Sequence, residues 1–193
     1  QGGDENVFLG TYAGANAVSN TSVYIGSYAG SDASQVTNSV FQGYKAAERA
    51  EYITNSVYIG PYTGQQAIRS TDTVLIGYQA GANLTSGSRN VVLGSYAGFS
   101  QYNAFDNVVI GHRAGYSNKV GSNNVFVGTQ SGYAATDALE NVCLGVSSGE
   151  NLVSGTKNVV CGYRAGANLR NASNCIAMGT RAMEFFFNGD TNT

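Results

Sequence analysis

Asn107-Val108-Val109-Ile110-Gly111-His112-Arg113-Ala114-Gly115 is the stretch that decides the fold, because its outline returns along the whole chain. Glycines matching Gly111, each the lead glycine of its repeat, stand at 10, 26, 43, 60, 77, 94, 111, 128, 145, 162 and 179, one step of 16 residues and nine of 17. Three residues before the lead glycine stands Val in ten copies and Ile176 in the last. The residue just before it is Leu, Ile, Val, Met or Cys in every copy but one, where Gln42 replaces it. Four residues after it comes a second Gly in nine copies, with Ala47 and Met183 in the other two. Self-similarity at a fixed short period marks a repeat architecture, so the period outranks any local propensity.

Seventeen residues are too few for two packed helices, and the trio before each lead glycine is rich in β-branched and aromatic residues. Each repeat therefore reads as one coil of an all-β fold, a parallel β-roll or β-solenoid of eleven coils. Coils stacked at a strand spacing of about 4.8 Å make a rod roughly 50 Å long. The glycines mark fixed corners where the backbone takes positive φ. A second strand is expected seven to eleven residues after each lead glycine, where the seventh residue is Ala, Leu or Phe except at Gln101 and Asn118. Polar residues four and five places before the glycine, as in Thr37-Asn38-Ser39 and Ser122-Asn123-Asn124, suit turns and side-chain ladders along the stack. Residues 1–184 form the repeat domain. Residues 185–193, with the aromatic run Phe185-Phe186-Phe187, read as a cap or a junction to a further segment.

Side chains alternate across a strand, so the first and third residues of each trio share one face and the middle residue takes the other. Those middle residues are Phe8, Tyr24, Phe41, Tyr58, Leu75, Val92, Val109, Phe126, Cys143, Val160 and Ala177, and none is charged. A strand apolar on both faces is normally buried on both, and a single coil has one interior. If the Val and Ile columns fill that interior, the middle column faces outward and needs cover. Copies of the same chain around one axis would supply it. Phe8, Tyr24, Phe41, Tyr58, Leu75, Val92, Val109, Phe126 and Val160 are then the candidate interface of a homotrimer.

Composition narrows the partners. The 10 Lys and Arg against 12 Asp and Glu give a net charge of −2, with no basic run to neutralise phosphates, so nucleic acid is not expected as a partner. Gly or a polar residue interrupts every apolar run well short of a membrane span, so no membrane insertion of this segment is expected. Cys143, Cys161 and Cys175 lack C-x-x-C spacing and read as reduced packing residues. Starting at Gln1 with neither Met nor a signal sequence, the chain reads as part of something longer.

Several motifs imitate chemistry. Gly145-Val146-Ser147-Ser148-Gly149 matches a nucleophile elbow, but both glycines fall on the corner positions of the repeat. His112 is the only histidine and cannot build a transition-metal site alone, so no metal and no cofactor are expected. Glu48 with Glu51 and Asp137 with Glu140 are the nearest candidates for the paired carboxylates of a glycan-cleaving groove, and nothing catalytic surrounds them. Tyr12, Tyr28, Tyr62 and Tyr96 share the second place after the lead glycine, with Tyr44, Tyr78 and Tyr163 at the first. Such a ladder can pack the corner of the coil or offer a platform to a ligand.

The run Asn55-Ser56-Val57-Tyr58-Ile59-Gly60 resembles the Asn-Ser-Val-x-Ile-Gly signature of the β-roll heads of trimeric autotransporter adhesins and the repeats of phage and virus tail fibres. Asn90-Val91-Val92-Leu93-Gly94-Ser95-Tyr96-Ala97-Gly98 is similar to the fibre version. The resemblance implies a parallel β-roll trimerised about a central axis, with its turns displayed outward. The function expected is a non-enzymatic structural and attachment module on an extracellular, cell-surface or virion fibre. Its expected partners are copies of itself and a surface glycan or protein receptor. A polysaccharide-binding or polysaccharide-degrading tailspike is the alternative.

Overall fold

The computed structural model describes residues 5–185. Each repeat contributes one three-residue strand to a single parallel sheet of eleven strands, from Val7–Leu9 and Val23–Ile25 at one end to Val159–Cys161 and Ile176–Met178 at the other. Pairing is in register: Val91 lies beside Val108, Val92 beside Val109 and Leu93 beside Ile110. Bonding between coils continues round the corners, with the Gly94 N–H donating to the Ile76 carbonyl (2.8 Å), Tyr96 to Tyr78 (2.8 Å) and Gly98 to Ala114 (3.0 Å). The chain is an all-β parallel β-solenoid, and no helix occurs among its described residues. Of the expected C-terminal cap, Phe186 and Phe187 lie outside the described residues, and Phe185 is exposed.

Two glycine columns make the corner. At Gly94, φ is +132°, and a Cβ there would sit 2.6 Å from the carbonyl oxygen of Gly111 in the next coil. At Gly64, φ is +53°, and a Cβ would meet the Tyr58 ring at 2.6 Å. Left-handed backbone is not confined to glycine. The second residue after every lead glycine takes it, including Tyr28 (φ 58°), Tyr62 (57°) and Arg113 (56°), and so does the fifth residue before, including Asn55 (51°) and Lys157 (58°). Each such residue costs roughly 1 kcal/mol of local strain. The inter-coil hydrogen bonds that hold these corners offset it.

The interior corrects the expected orientation of the strand. Tyr24, Phe41, Tyr58, Leu75, Val92, Val109, Phe126 and Val160 are fully buried within the single chain, so none can form a surface between chains. Phe8 belongs to the same inward column, stacked on Tyr24 at 5.0 Å, and its 45% exposure reflects its place at the end of the stack. The Val and Ile columns instead point outward. A second column, seven residues after each lead glycine, completes the interior by compensating volume. Aromatic residues face alanine, as Tyr24 does with Ala33, Phe41 with Ala50, Tyr58 with Ala67 and Phe126 with Ala135. Where the strand residue shrinks to Cys143 or Val160, Leu152 or Leu169 fills the gap. Each coil thus keeps a nearly constant core volume, as close packing requires.

Two coils depart from this rule. Gln101 faces Val92 and Asn118 faces Val109, all four buried. Both polar atoms of the Gln101 side chain and Oδ1 of Asn118 lack a hydrogen-bond partner in the protein.

The second strand forms in only part of the stack. Val18–Asn20, Ser34–Thr37, Ile53–Thr54 and Ser70–Thr71 make a four-stranded parallel sheet, and later coils keep only isolated bridges such as Ser86 with Asn103 and Thr156 with Ser173. The change coincides with a buried polar column just before the strands, which runs Ser22, Ser39, Ser56, Thr73 and then Asn90, Asn107, Asn124, Asn141, Asn158. The serines bond locally: Ser39 Oγ accepts from the Ser56 N–H (3.2 Å) and donates to the Thr37 carbonyl (2.9 Å). The longer asparagines add a brace. Asn107 Oδ1 accepts from the Asn124 N–H (2.9 Å), while its Nδ2 crosses the coil to the Gly121 carbonyl (2.9 Å). The residue at that crossing shrinks from Val36 and Ile53 to Gly121, Gly155 or Ala172. An amide now satisfies a backbone carbonyl of the second segment, and a regular strand there is no longer needed.

Two outcomes follow from this core. Phe126→Val costs about 2 kcal/mol in urea unfolding, and adding Ala135→Leu recovers at least half of it, a coupling that a double-mutant cycle measures directly. Gln101→Leu, which copies the Val160/Leu169 pair, raises stability by about 1 kcal/mol, because it removes a buried amide without protein partners and keeps the volume.

Candidate functional site

Charge divides the solenoid lengthwise. None of the chain's 22 charged residues stands in the eleven-stranded sheet, in the lead-glycine column or in the residue after it. The outward columns of that sheet are Val or Ile at the first strand position and apolar at the third in every copy except Gln42. They form a strip of about 10 by 50 Å. Val7, Leu9, Ile76, Leu144, Val159, Ile176 and Met178 are exposed on it, and most of its other members are half-buried.

One margin of the strip is aromatic. Tyr12, Tyr28, Tyr62 and Tyr96 do come together, and they are joined by residues from the neighbouring column. Ring centroids run Tyr12–Tyr28 (5.0 Å), Tyr28–Tyr44 (6.4 Å), Tyr44–Tyr62 (5.3 Å), Tyr62–Tyr78 (6.0 Å) and Tyr78–Tyr96 (5.2 Å). The ridge then passes through Phe99 to Tyr116 and Tyr133. All four contacts from Tyr28 to Tyr96 are edge-to-face, so each ring is partly covered by the next. Cations lie along the ridge: Lys45 Nζ is 5.7 Å from the Tyr28 ring centre and the Arg113 guanidinium 5.8 Å from that of Tyr96. The continuation through Phe99, Tyr116 and Tyr133 leaves the two tyrosine columns for a third, five places after the lead glycine, whose 17-residue spacing is the signal that could have found it.

The imitation motifs resolve into structure. Ser147 is a left-handed corner residue (φ 54°), and the buried Ser148 hydroxyl donates to the Val160 carbonyl at 2.9 Å. His112 is exposed and tilts against Tyr96 at 6.3 Å. Burial pushes the Cys143 thiol up to about 12, so it stays protonated as a packing group. None of the three cysteines is in a disulfide: Cys143 points inward, Cys161 sits on the outward strip and Cys175 continues the asparagine column. No group of three or more His, Cys, Asp or Glu able to hold a metal occurs among the described residues.

Of the paired carboxylates, Glu48 is tied into the coil stack. Lys45 Nζ lies 2.9 Å from its Oε1, and Gln65 Nε2 donates to its Oε2 at 2.7 Å. Burial pushes the carboxyl up, but the hydrogen bonds from Gln65 and Lys45 outweigh it and hold the group below the usual carboxylate range. Glu48 is therefore a fixed anion rather than a proton donor. Glu51, Asp137 and Glu140 are exposed. Glu140 has Lys157 at 4.0 Å.

No family model, curated protein or solved structure matches this chain.

Because its folded value is lowered, Glu48 contributes stability that is complete above the unfolded carboxylate range, about pH 4.3, and is lost as pH falls through the folded value. Glu48→Gln accordingly lowers the melting midpoint by about 3 °C at pH 7. The gap between the two proteins closes on acidification toward pH 2, which calorimetry across that range records.

Proposed function

We propose that the chain is a non-enzymatic structural and attachment module, a rigid rod that trimerises through its outward Val and Ile strip as a segment of an extracellular or virion fibre. The observation that carries this reading is the charge-free apolar strip. Its area, about 500 Å², matches the largest apolar patches that soluble monomers expose. It is also a sheet face on which no charged residue stands. An apolar centre bordered by tyrosine and arginine is the anatomy of a protein–protein interface.

The identity of the partner follows from the repeat. A second copy carries the same columns at the same pitch, so Val and Ile rows interdigitate along the full length without frustration. A strip only three residues wide leaves both margins open in a two-fold sandwich. Three strips around one axis cover one another's margins, and cyclic symmetry gives every chain the same contact. The resemblance of Asn55–Gly60 to adhesin-head and tail-fibre repeats points the same way. Such a rod acts by geometry, holding attachment surfaces apart and presenting them in several copies, so that weak contacts add up to avidity.

Light scattering tests the assembly. A mass of three times 20.1 kDa is expected for the wild type. Val108→Lys, at the centre of the strip, is expected to give a folded monomer with an unchanged circular dichroism spectrum. In the native assembly Cys161 resists maleimide, and in the Val108→Lys monomer it reacts. A wild-type monomer, or an assembly indifferent to Val108→Lys, overturns the proposal.

A further inference from the structure

The face carrying the four-stranded sheet differs from the apolar strip in every respect. Two open depressions of about 420 and 480 Å³ run end to end along it and share Tyr52 and Thr54. The first is lined by hydroxyl and amide side chains that include Asn20, Gln35 and Thr37, and the second extends past Arg69 and Ser88 to Phe105. Tyr52 stands where they meet. Its left-handed backbone (φ 55°) sets it apart from the flanking strand residues, its N–H is anchored on the Ser34 carbonyl at 3.0 Å, and 44% of it is exposed. The Arg69 guanidinium lies 5.7 Å from the centre of its ring. Phe105, also exposed, supplies a second ring further along.

We infer that this groove binds a neutral glycan chain laid across the coils. An aromatic ring beside rows of hydroxyl and amide groups meets both needs of a sugar, whose C–H face packs on rings while its hydroxyls exchange hydrogen bonds with planar amides and alcohols. The coils repeat every 4.8 Å or so, close to the residue repeat of an extended hexose chain, so successive sugars meet successive coils. Other ligand classes fit less well. Arg69 is the only charged side chain lining the two depressions, too few cations for a polyanion. A peptide adding as a strand needs a free sheet edge, and the backbone along the groove is already bonded from coil to coil, as the Gly87 N–H is to the Arg69 carbonyl at 2.9 Å.

The inference does not rest on self-association, because the groove and the apolar strip share no residue. Native electrophoresis in gels cast with dextran, a mixed-linkage β-glucan or a galactomannan tests it, with the mass of each sample measured in parallel. At least one of these polymers is expected to retard the wild type, and Tyr52→Ala and Phe105→Ala each to weaken the retardation about tenfold. Tyr163→Ala, which removes an exposed ring outside both depressions, is expected to leave the retardation at equal assembly mass unchanged. An unretarded wild type overturns the inference. So does equal retardation of Tyr52→Ala, or loss on Tyr163→Ala. Light scattering of the same samples separates that failure from failure of the trimer.

Discussion

Backbone hydrogen bonding in register between coils places residues directly on their counterparts one repeat away, 17 positions in all but the first step, and the rest of the molecule follows from that constraint. A residue type is acceptable in such a stack only if it tolerates its own kind at about 4.8 Å. Glycine at the corner satisfies this most strictly, since a Cβ at Gly94 would strike the Gly111 carbonyl. Asparagine satisfies it by accepting from the next coil while donating to the one before, valine by packing on itself, and tyrosine by tilting. Charge does not satisfy it. Hence only 11% of residues are charged, and where charges fall in one column they tend to pair, as Arg89 does with Asp106 at 2.5 and 2.7 Å.

The same constraint explains why variation is permitted at some places and not at others. Inside the coil, identity is free as long as the two inward columns sum to one volume, so Tyr58 with Ala67 and Val160 with Leu169 serve alike. The buried polar column exchanges serine for asparagine only where the opposite segment supplies a carbonyl and a small residue to receive the longer amide. These are exchanges between residues of one coil. Stacking forbids changes that break a column, while the coil itself absorbs changes of size.

The period, the parallel coils and the corner glycines were legible in the sequence because each depends on a residue type recurring at one spacing. Which strand face turns inward was not legible from alternation, since both faces are apolar. Two signals could have settled it. The middle strand residue varies from Ala177 to Tyr58, and its size runs opposite to that of the residue nine places on, a covariation that only a shared interior explains. Valine at the first strand position hardly varies at all, as befits an outward column that packs on its own kind and is free of the coil volume. The second sheet was overextended for a different reason. Its disappearance depends on the Asn107 amide crossing to Gly121, a contact between segments that local propensity does not register. The groove around Tyr52 stayed hidden because its residues come from different coils at positions the repeat leaves free.

Placing the aromatic column inside changes what must be explained outside. Had Tyr58 and Phe126 faced outward, a partner would have been needed to cover large rings on a chain already filled with valine. With the rings inside, the chain has a complete core of its own, so the outward Val and Ile columns are not required for a coil to fold. Their uniformity must answer to something else. A merely solvated face would admit charge along its length, as do the faces where Arg49, Lys119 and Arg170 stand. Charge is instead excluded from the strip and admitted at its border, at Lys45, Arg113 and Arg164, each two places after a lead glycine. A boundary that sharp, kept through every coil, is what the proposed assembly of like strips would require.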